Sequence, residues 1–397
     1  MLKTNGYTDI ELNVNQTLPV RIIILLSTLF VASSIIPVAI LSGFKELSIS
    51  LSYSIFALSS ATFFFTAKKI SSAIWRIAVM MFLFYFTASP ILPALLFGAV
   101  LSIGAVSAMI RSGKGLKLSI AFLVLIVPYG VSFILTSNPF VSVAALIFAV
   151  PALFLAIPQK LGSDKTTAIA SSAVSIFAMT AGVCLLVIYN ACGSITLETI
   201  NASVENFRAY LIDNCINAFN LLDQIEFTEH IRLEIVALVN YYVNLSVGIV
   251  GAIALVVSYA AHNVQCNVFR SASLNRYLTE RETKLSVSAT AAIIFVAAHV
   301  LSFATSPSGN MSLAATVAQN LCLLLIPGLL VAGFSAVKAL FKKIGPFLGI
   351  LLTIFVISMF SSSVSLPTLI ALVGAFFVIF RSIDSWANVH YGKGEHK

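Results

Sequence analysis

SLAATVAQNLCLLLIPGLLVAGFSAV, residues 312–337, runs for 26 residues without a charged side chain and then meets Lys338, Lys342 and Lys343. A helix rises 1.5 Å per residue, so about 20 apolar residues cross the ~30 Å hydrocarbon core of a bilayer. Lipid offers a backbone amide no hydrogen-bonding partner, so a spanning segment is either a helix or a strand of a closed barrel. The apolar residues here do not alternate with period two, which selects the helix. The stretch reads as a transmembrane helix stopped by a basic cluster.

The rest of the chain repeats this pattern. Of 397 residues, 59% are hydrophobic and 10% charged, and the mean hydropathy is +1.01. Soluble domains are about 45–50% apolar and about 25% charged. That balance excludes a soluble enzyme, a disordered chain, a collagen and a disulfide scaffold. Twelve spans are expected, over 22–43, 48–67, 71–89, 92–110, 118–136, 140–157, 167–189, 237–262, 286–305, 312–337, 346–361 and 366–381. Pro90 and Pro93 divide the uncharged run Ile77 to Ile110, because proline disfavours helix at the residue before it. The last two runs flank Pro367 and admit a re-entrant pair as well as two spans. Ile22 to Phe44 is too long for the apolar core of a signal peptide and reads as the first span.

Charge supplies the orientation. With the N-terminus inside, 20 Lys and Arg fall in inside segments, and only Lys45, Arg208 and Arg232 fall outside. Such a split follows the positive-inside rule and predicts an all-α bundle of ten to twelve spans with both termini cytoplasmic. It also accounts for the net charge of +8 without a nucleic-acid partner. Trp75 and Trp386 fall near the expected cytoplasmic boundaries, where indole rings are favoured. One membrane domain results. Residues 1–189 carry about seven spans, 190–236 form an extracytoplasmic segment, and 237–397 carry about five spans.

The extracytoplasmic segment holds seven acids and two bases, Arg208 and Arg232. Val204, Phe207, Leu211, Cys215, Ala218 and Leu222 recur at helical spacing and predict an amphipathic helix. Asn201 or Ser203 is its expected cap, and Thr228 the cap of a second helix running on into span eight. The segment reads as a connector resting on its own bundle, a lid over a ligand site, or a docking surface. Cys192 and Cys215 both fall in it, so a disulfide or two reduced thiols are open alternatives.

Polar side chains inside a bilayer are costly and face the bundle interior. Counting 1.5 Å per residue, Asn244, His299, Gln319 and Asn320 share a depth roughly 10 Å below the outer surface. Asn190, Asn240 and Tyr241 form a shallower rim. One reading makes the amides interhelical hydrogen bonds. A second makes the layer a polar pocket for a small ligand, and a third gives His299 a proton-relay role. Small residues at four-residue spacing (Ala94, Gly98, Ser102; Gly248, Ala252) favour close helix packing. There is no GxxxxGK[ST], HExxH or GxSxG motif and no paired carboxylate in a span. No enzymatic activity, cofactor or metal is therefore expected. The stretch 263–285, with Arg270, Arg276, Arg281 and Lys284, reads as an interfacial anchor or a coupling helix.

The layout resembles the uncharacterised YybS-like family of bacterial multi-pass membrane proteins over roughly residues 71–385. The resemblance lies in the acidic insert Glu198 to Glu234 before a span and the basic stretch with Arg270 and Arg276. It continues in Asn320-Leu321 with Gly333 ahead of Lys338, Lys342, Lys343 and Pro346, and in Gly374 before Arg381. The sequence departs from it where Phe376, Phe377 and Val378 follow Gly374 in place of an acid. The family is similar in hydropathy to substrate-capture subunits of energy-coupling-factor transporters, whose ATPases are separate chains. The resemblance implies a bacterial cell-membrane protein that binds or passes a small solute, with the lipid bilayer and separate ATPase or membrane subunits as partners. The alternative is a scaffold or regulatory protein that docks a partner through the extracytoplasmic segment.

The orientation has a direct test. In a chain with its native cysteines replaced by serine, Asn206→Cys should react with an impermeant maleimide on intact cells. Ser273→Cys should react only after permeabilisation.

Overall fold

The computed structural model describes ten helical residues between 96 and 111, and residues 139–220, 229–272, 285–305, 312–345 and 365–391. Every regular element among them is a helix: α1 Pro139–Lys160, α2 Lys165–Cys192, α3 Leu197–Asn220, α4 Glu229–Asn244, α5 Ser246–Ala272, α6 Ala289–Thr305, α7 Leu313–Ile344 and α8 Leu366–Tyr391. Among the described residues there is no strand. Among the described residues, four segments are long and apolar enough to cross a membrane: Lys165–Cys192, Ser246–Cys266, Leu313–Ala339 and Leu366–Ser385. α6 is apolar but has 17 residues. The expected spans over 22–43, 48–67, 71–89, 118–136 and 346–361, and part of 92–110, lie outside the described residues.

Large apolar side chains stand outward on these helices, among them Val174 on α2, Val300 on α6, and Phe376 and Phe380 on α8. In water such faces would drive aggregation. They suit contact with lipid. The chain divides into two units, one of Met1–Leu186 with Val256–Lys284, the other of Val187–Leu255 with Leu285–Lys397.

In the first unit, α1 ends at a turn closed by Gly162 at φ +84°. Gly162 N–H donates to Gln159 C=O at 3.1 Å and Ser163 N–H to Pro158 C=O at 2.9 Å. These two bonds occupy carbonyls that the end of α1 would leave unpaired. The core joins Ile103, Leu155, Ala156, Ala168, Ala261 and Val264. Gly104 brings its backbone against α5 so closely that a Cβ there would lie 2.7 Å from Val264 Cβ.

In the second unit, α6, α7 and α8 pack on one another around Phe295, Ala298, Ala318, Leu329, Ala371 and Ala375. Lipid tails are as apolar as leucine, so helices in a bilayer gain little from burying large side chains against each other. They gain from close backbone approach. The crossing of α7 and α8 is of that kind. A Cβ on Gly374 would lie 2.2 Å from Leu329 C=O, and one on Gly333 would lie 2.1 Å from Ile370 C=O. The starts of α6 and α7 are capped by serines. Ser288 Oγ accepts from Ala291 N–H at 3.1 Å, and Ser312 Oγ accepts from Ala315 N–H at 3.1 Å. α8 runs through 26 residues as one helix, with Pro367 in its first turn.

Two expectations need correction. α3 begins at Leu197, earlier than a cap at Asn201 or Ser203 would place it. Thr196 Oγ1 accepts from Thr199 N–H at 3.2 Å while Thr199 Oγ1 accepts from Thr196 N–H at 2.9 Å, a reciprocal cap. The expected span 237–262 is not one helix. α4 starts at Glu229 and runs into it as far as Asn244, and α5 restarts at Ser246, with the break at Leu245. Thr228 lies outside the described residues, and Cys192 and Cys215 are both free thiols.

Gly374→Ala should destabilise the protein by roughly 2–3 kcal/mol, because backbone atoms cannot move aside as a side chain does. Gly182 in α2 has nothing within 4 Å of where a Cβ would stand. Gly182→Ala should be neutral or stabilising by up to about 1 kcal/mol. Unfolding midpoints in detergent compare the two.

Candidate functional site

The second unit is organised around the break at Leu245. In an unbroken helix Gly248 N–H would donate to Asn244 C=O, four residues earlier. Here the carboxamide of Asn320, on α7, stands between them. Gly248 N–H donates to Asn320 Oδ1 at 2.6 Å, and Asn320 Nδ2 donates to Asn244 C=O at 2.9 Å. The same Nδ2 donates to Thr316 C=O at 2.9 Å. One amide side chain thus replaces a missing rung of the helical ladder, as the absence of water requires. Gly248 is needed for the approach, since a Cβ there would lie 2.8 Å from Asn320 C=O. Arg208 of α3 closes the arrangement from the other side. Its Nη2 donates to Asn244 Oδ1 at 2.9 Å and its Nη1 to Glu205 Oε1 at 2.8 Å.

A cavity of about 340 Å³ lies beside the break. Its polar lining comes from Tyr241, His299, Ser302, Gln319 and Thr368, and its apolar lining from Leu245, Phe303, Cys322, Leu323 and Ile326. Four helices and the Leu245 break contribute. His299 is held between two rings, stacked on Phe295 with centroids 6.1 Å apart and edge-on to Phe303 at 5.0 Å. Gln319 has its carbonyl oxygen, Oε1, buried with no hydrogen-bond partner. The volume falls at the low end of the range for small-molecule sites, roughly 300–1,000 Å³.

The residues expected in one polar layer divide between two roles. His299 and Gln319 line the cavity together, with Tyr241 from the expected rim. Asn244 and Asn320 meet each other in the backbone clip and do not line it. Asn240 is half-buried on α4 and Asn190 exposed near the end of α2, and neither lines the cavity.

The first unit carries a buried polar cluster that counting depth along the sequence missed. Arg111 Nη1 donates to Gln159 Oε1 at 2.9 Å, which fixes the amide so that Gln159 Nε2 donates to His262 Nε2. Cys266 Sγ lies 3.7 Å from His262 Nδ1. Lys165 Nζ donates to Asn263 Oδ1 at 3.4 Å and lies 4.6 Å from the centre of the Tyr259 ring. Gln159, Lys165 and His262 are all buried. The available signal was Tyr259, His262, Asn263 and Cys266 at three- and four-residue spacing, one polar stripe on an otherwise apolar helix. Among the described residues no group of His, Cys, Asp and Glu is placed to hold a metal ion.

The chain matches no family model, and no curated protein or solved structure matches it.

Asn320→Leu removes the clip and leaves a buried donor and a buried acceptor to find other partners. It should cost roughly 2–4 kcal/mol, read from the unfolding midpoint, and speed amide exchange at Gly248. Arg208→Ala, at a partly exposed pair, should cost under about 1 kcal/mol.

Proposed function

We propose that this is a non-enzymatic multi-pass membrane protein that binds or passes a small solute through the cavity of its second unit. The observation that carries the reading is the buried, unpartnered carbonyl of Gln319 at a cavity of about 340 Å³. Buried polar atoms in native proteins are almost always hydrogen-bonded. An open acceptor beside a space of ligand size is the arrangement a binding site presents before its ligand arrives. Tyr241, His299, Ser302 and Thr368 surround it with further groups able to orient a solute. The wider setting is the twelve-span bundle with cytoplasmic termini in a bacterial cell membrane. The chain has no P-loop. Any coupling to ATP therefore runs through a separate subunit, as the likeness to substrate-capture subunits and the YybS-like layout imply.

One observation favours a second reading. Phe207 and Tyr210 on α3 stand more than half exposed, and Val204 is exposed beside them. A scaffold docking a partner through 190–236 would use that face. Deleting 198–220 separates the two readings, since solute binding should survive the deletion and a docked complex should not.

A solute at about 100 times its dissociation constant should stabilise the purified protein by roughly 2.7 kcal/mol. The screen takes vitamins, nucleobases, amino acids and metal ions. His299→Ala should weaken the hit tenfold or more while the unliganded protein still melts cooperatively. No shift across the panel, in a protein that melts cooperatively, overturns the solute reading in favour of docking.

A further inference from the structure

Gln319 and Asn320 are consecutive amides on one helix with opposite hydrogen-bonding states. Asn320 spends its carboxamide on structure, donating to Asn244 C=O and Thr316 C=O and accepting from Gly248 N–H. Gln319 leaves Oε1 buried and without a partner beside the cavity. A carbonyl oxygen only accepts, so whatever completes Gln319 must present an N–H or O–H group. Water can do this, and a ligand that displaces the water must reproduce the bond.

The rest of the lining restricts the ligand further. None of the ten lining residues is Asp, Glu, Lys or Arg. Arg208 is engaged by Asn244 and Glu205 and is not among them. A charged solute would lose its hydration and meet no permanently charged side chain, since His299 is neutral unless it takes up a proton. Leu245, Phe303, Leu323 and Ile326 give the cavity an apolar wall. A fully polar solute would leave that wall unused. The volume of about 340 Å³ suits a single ring or a short chain.

We propose that the cavity takes an uncharged solute with an N–H or O–H group on an apolar body, and that this group donates to Gln319 Oε1. The proposal rests on the cavity being a solute site at all. It therefore makes Gln319 the residue that sets specificity, ahead of the clip residues Asn244 and Asn320.

Benzamide, benzoate and benzylammonium share one ring and differ in charge, which makes them suitable probes at millimolar concentration. The full-length protein is placed in phosphatidylcholine nanodiscs, and binding is read by melting midpoint and equilibrium dialysis. Benzamide should bind and the two ions should not. Gln319→Leu, which keeps the bulk and removes the acceptor, should weaken benzamide about tenfold, the loss expected for one hydrogen bond. Gln319→Glu should shift the preference to benzylammonium, a change that a merely structural role for Gln319 would not produce. Gln319→Leu remains informative if the buried acid prevents folding. Binding of benzoate or benzylammonium as tight as benzamide overturns the uncharged class and leaves the cavity a solute site. Benzamide binding unchanged in Gln319→Leu overturns the assignment of the acceptor. Binding of none of the three overturns this proposal, and the solute site itself stands or falls by the wider panel of vitamins, nucleobases, amino acids and metal ions.

Discussion

Hydrocarbon cannot hydrogen-bond, and that single constraint runs through the apolar helices of this protein. It makes them helices, because only a helix satisfies a lone segment's amides from within. It puts capping groups at their ends, Ser288 before α6 and Ser312 before α7. It also explains why glycines meet at the crossing of α7 and α8. Without a hydrophobic gain from burying large side chains, that contact is made by backbone atoms at van der Waals distance.

The break at Leu245 is where the constraint is hardest to meet. A membrane helix that stops and restarts leaves backbone acceptors and donors unpaired. Asn320 supplies a partner for one of each, from a helix 72 residues further along. Most of what surrounds the cavity depends on this clip. It holds α4 and α5 against α7, and so sets Tyr241 and Leu245 opposite Gln319 and Cys322. The two neighbouring amides on α7 show how structure and binding divide. The carboxamide of Asn320 is taken up by the backbone, and that of Gln319 keeps an unpartnered acceptor.

The sequence was readable where composition alone decides. Apolar runs such as 312–337 announce helices because nothing else satisfies them in lipid, and Ser312 marks the start of α7 within one residue. Depth counting placed His299 and Gln319 at one level because rise per residue is fixed. It did not find the break, because no proline or glycine stands at 245 and the cause lies on another helix. For the same reason Asn244 and Asn320 looked equivalent to Gln319, although their bonds are already made. The cluster of Arg111, Gln159, Lys165 and His262 escaped because each residue alone reads as a boundary residue or a loop charge. Only the packing of α1, α2, α5 and the helical residues ending at Arg111 brings them together.

The clip also sets an order of assembly. Until α7 has been made, Gly248 N–H and Asn244 C=O have only each other, and the continuous helix is the state that satisfies both. Ribosomes add about 5–20 residues per second, so the 72 residues from Gly248 to Asn320 take roughly 4–14 s. A continuous helix over α4 and α5 would satisfy both groups in that interval, and the break would enter with the side chain of Asn320, which takes the place of one rung.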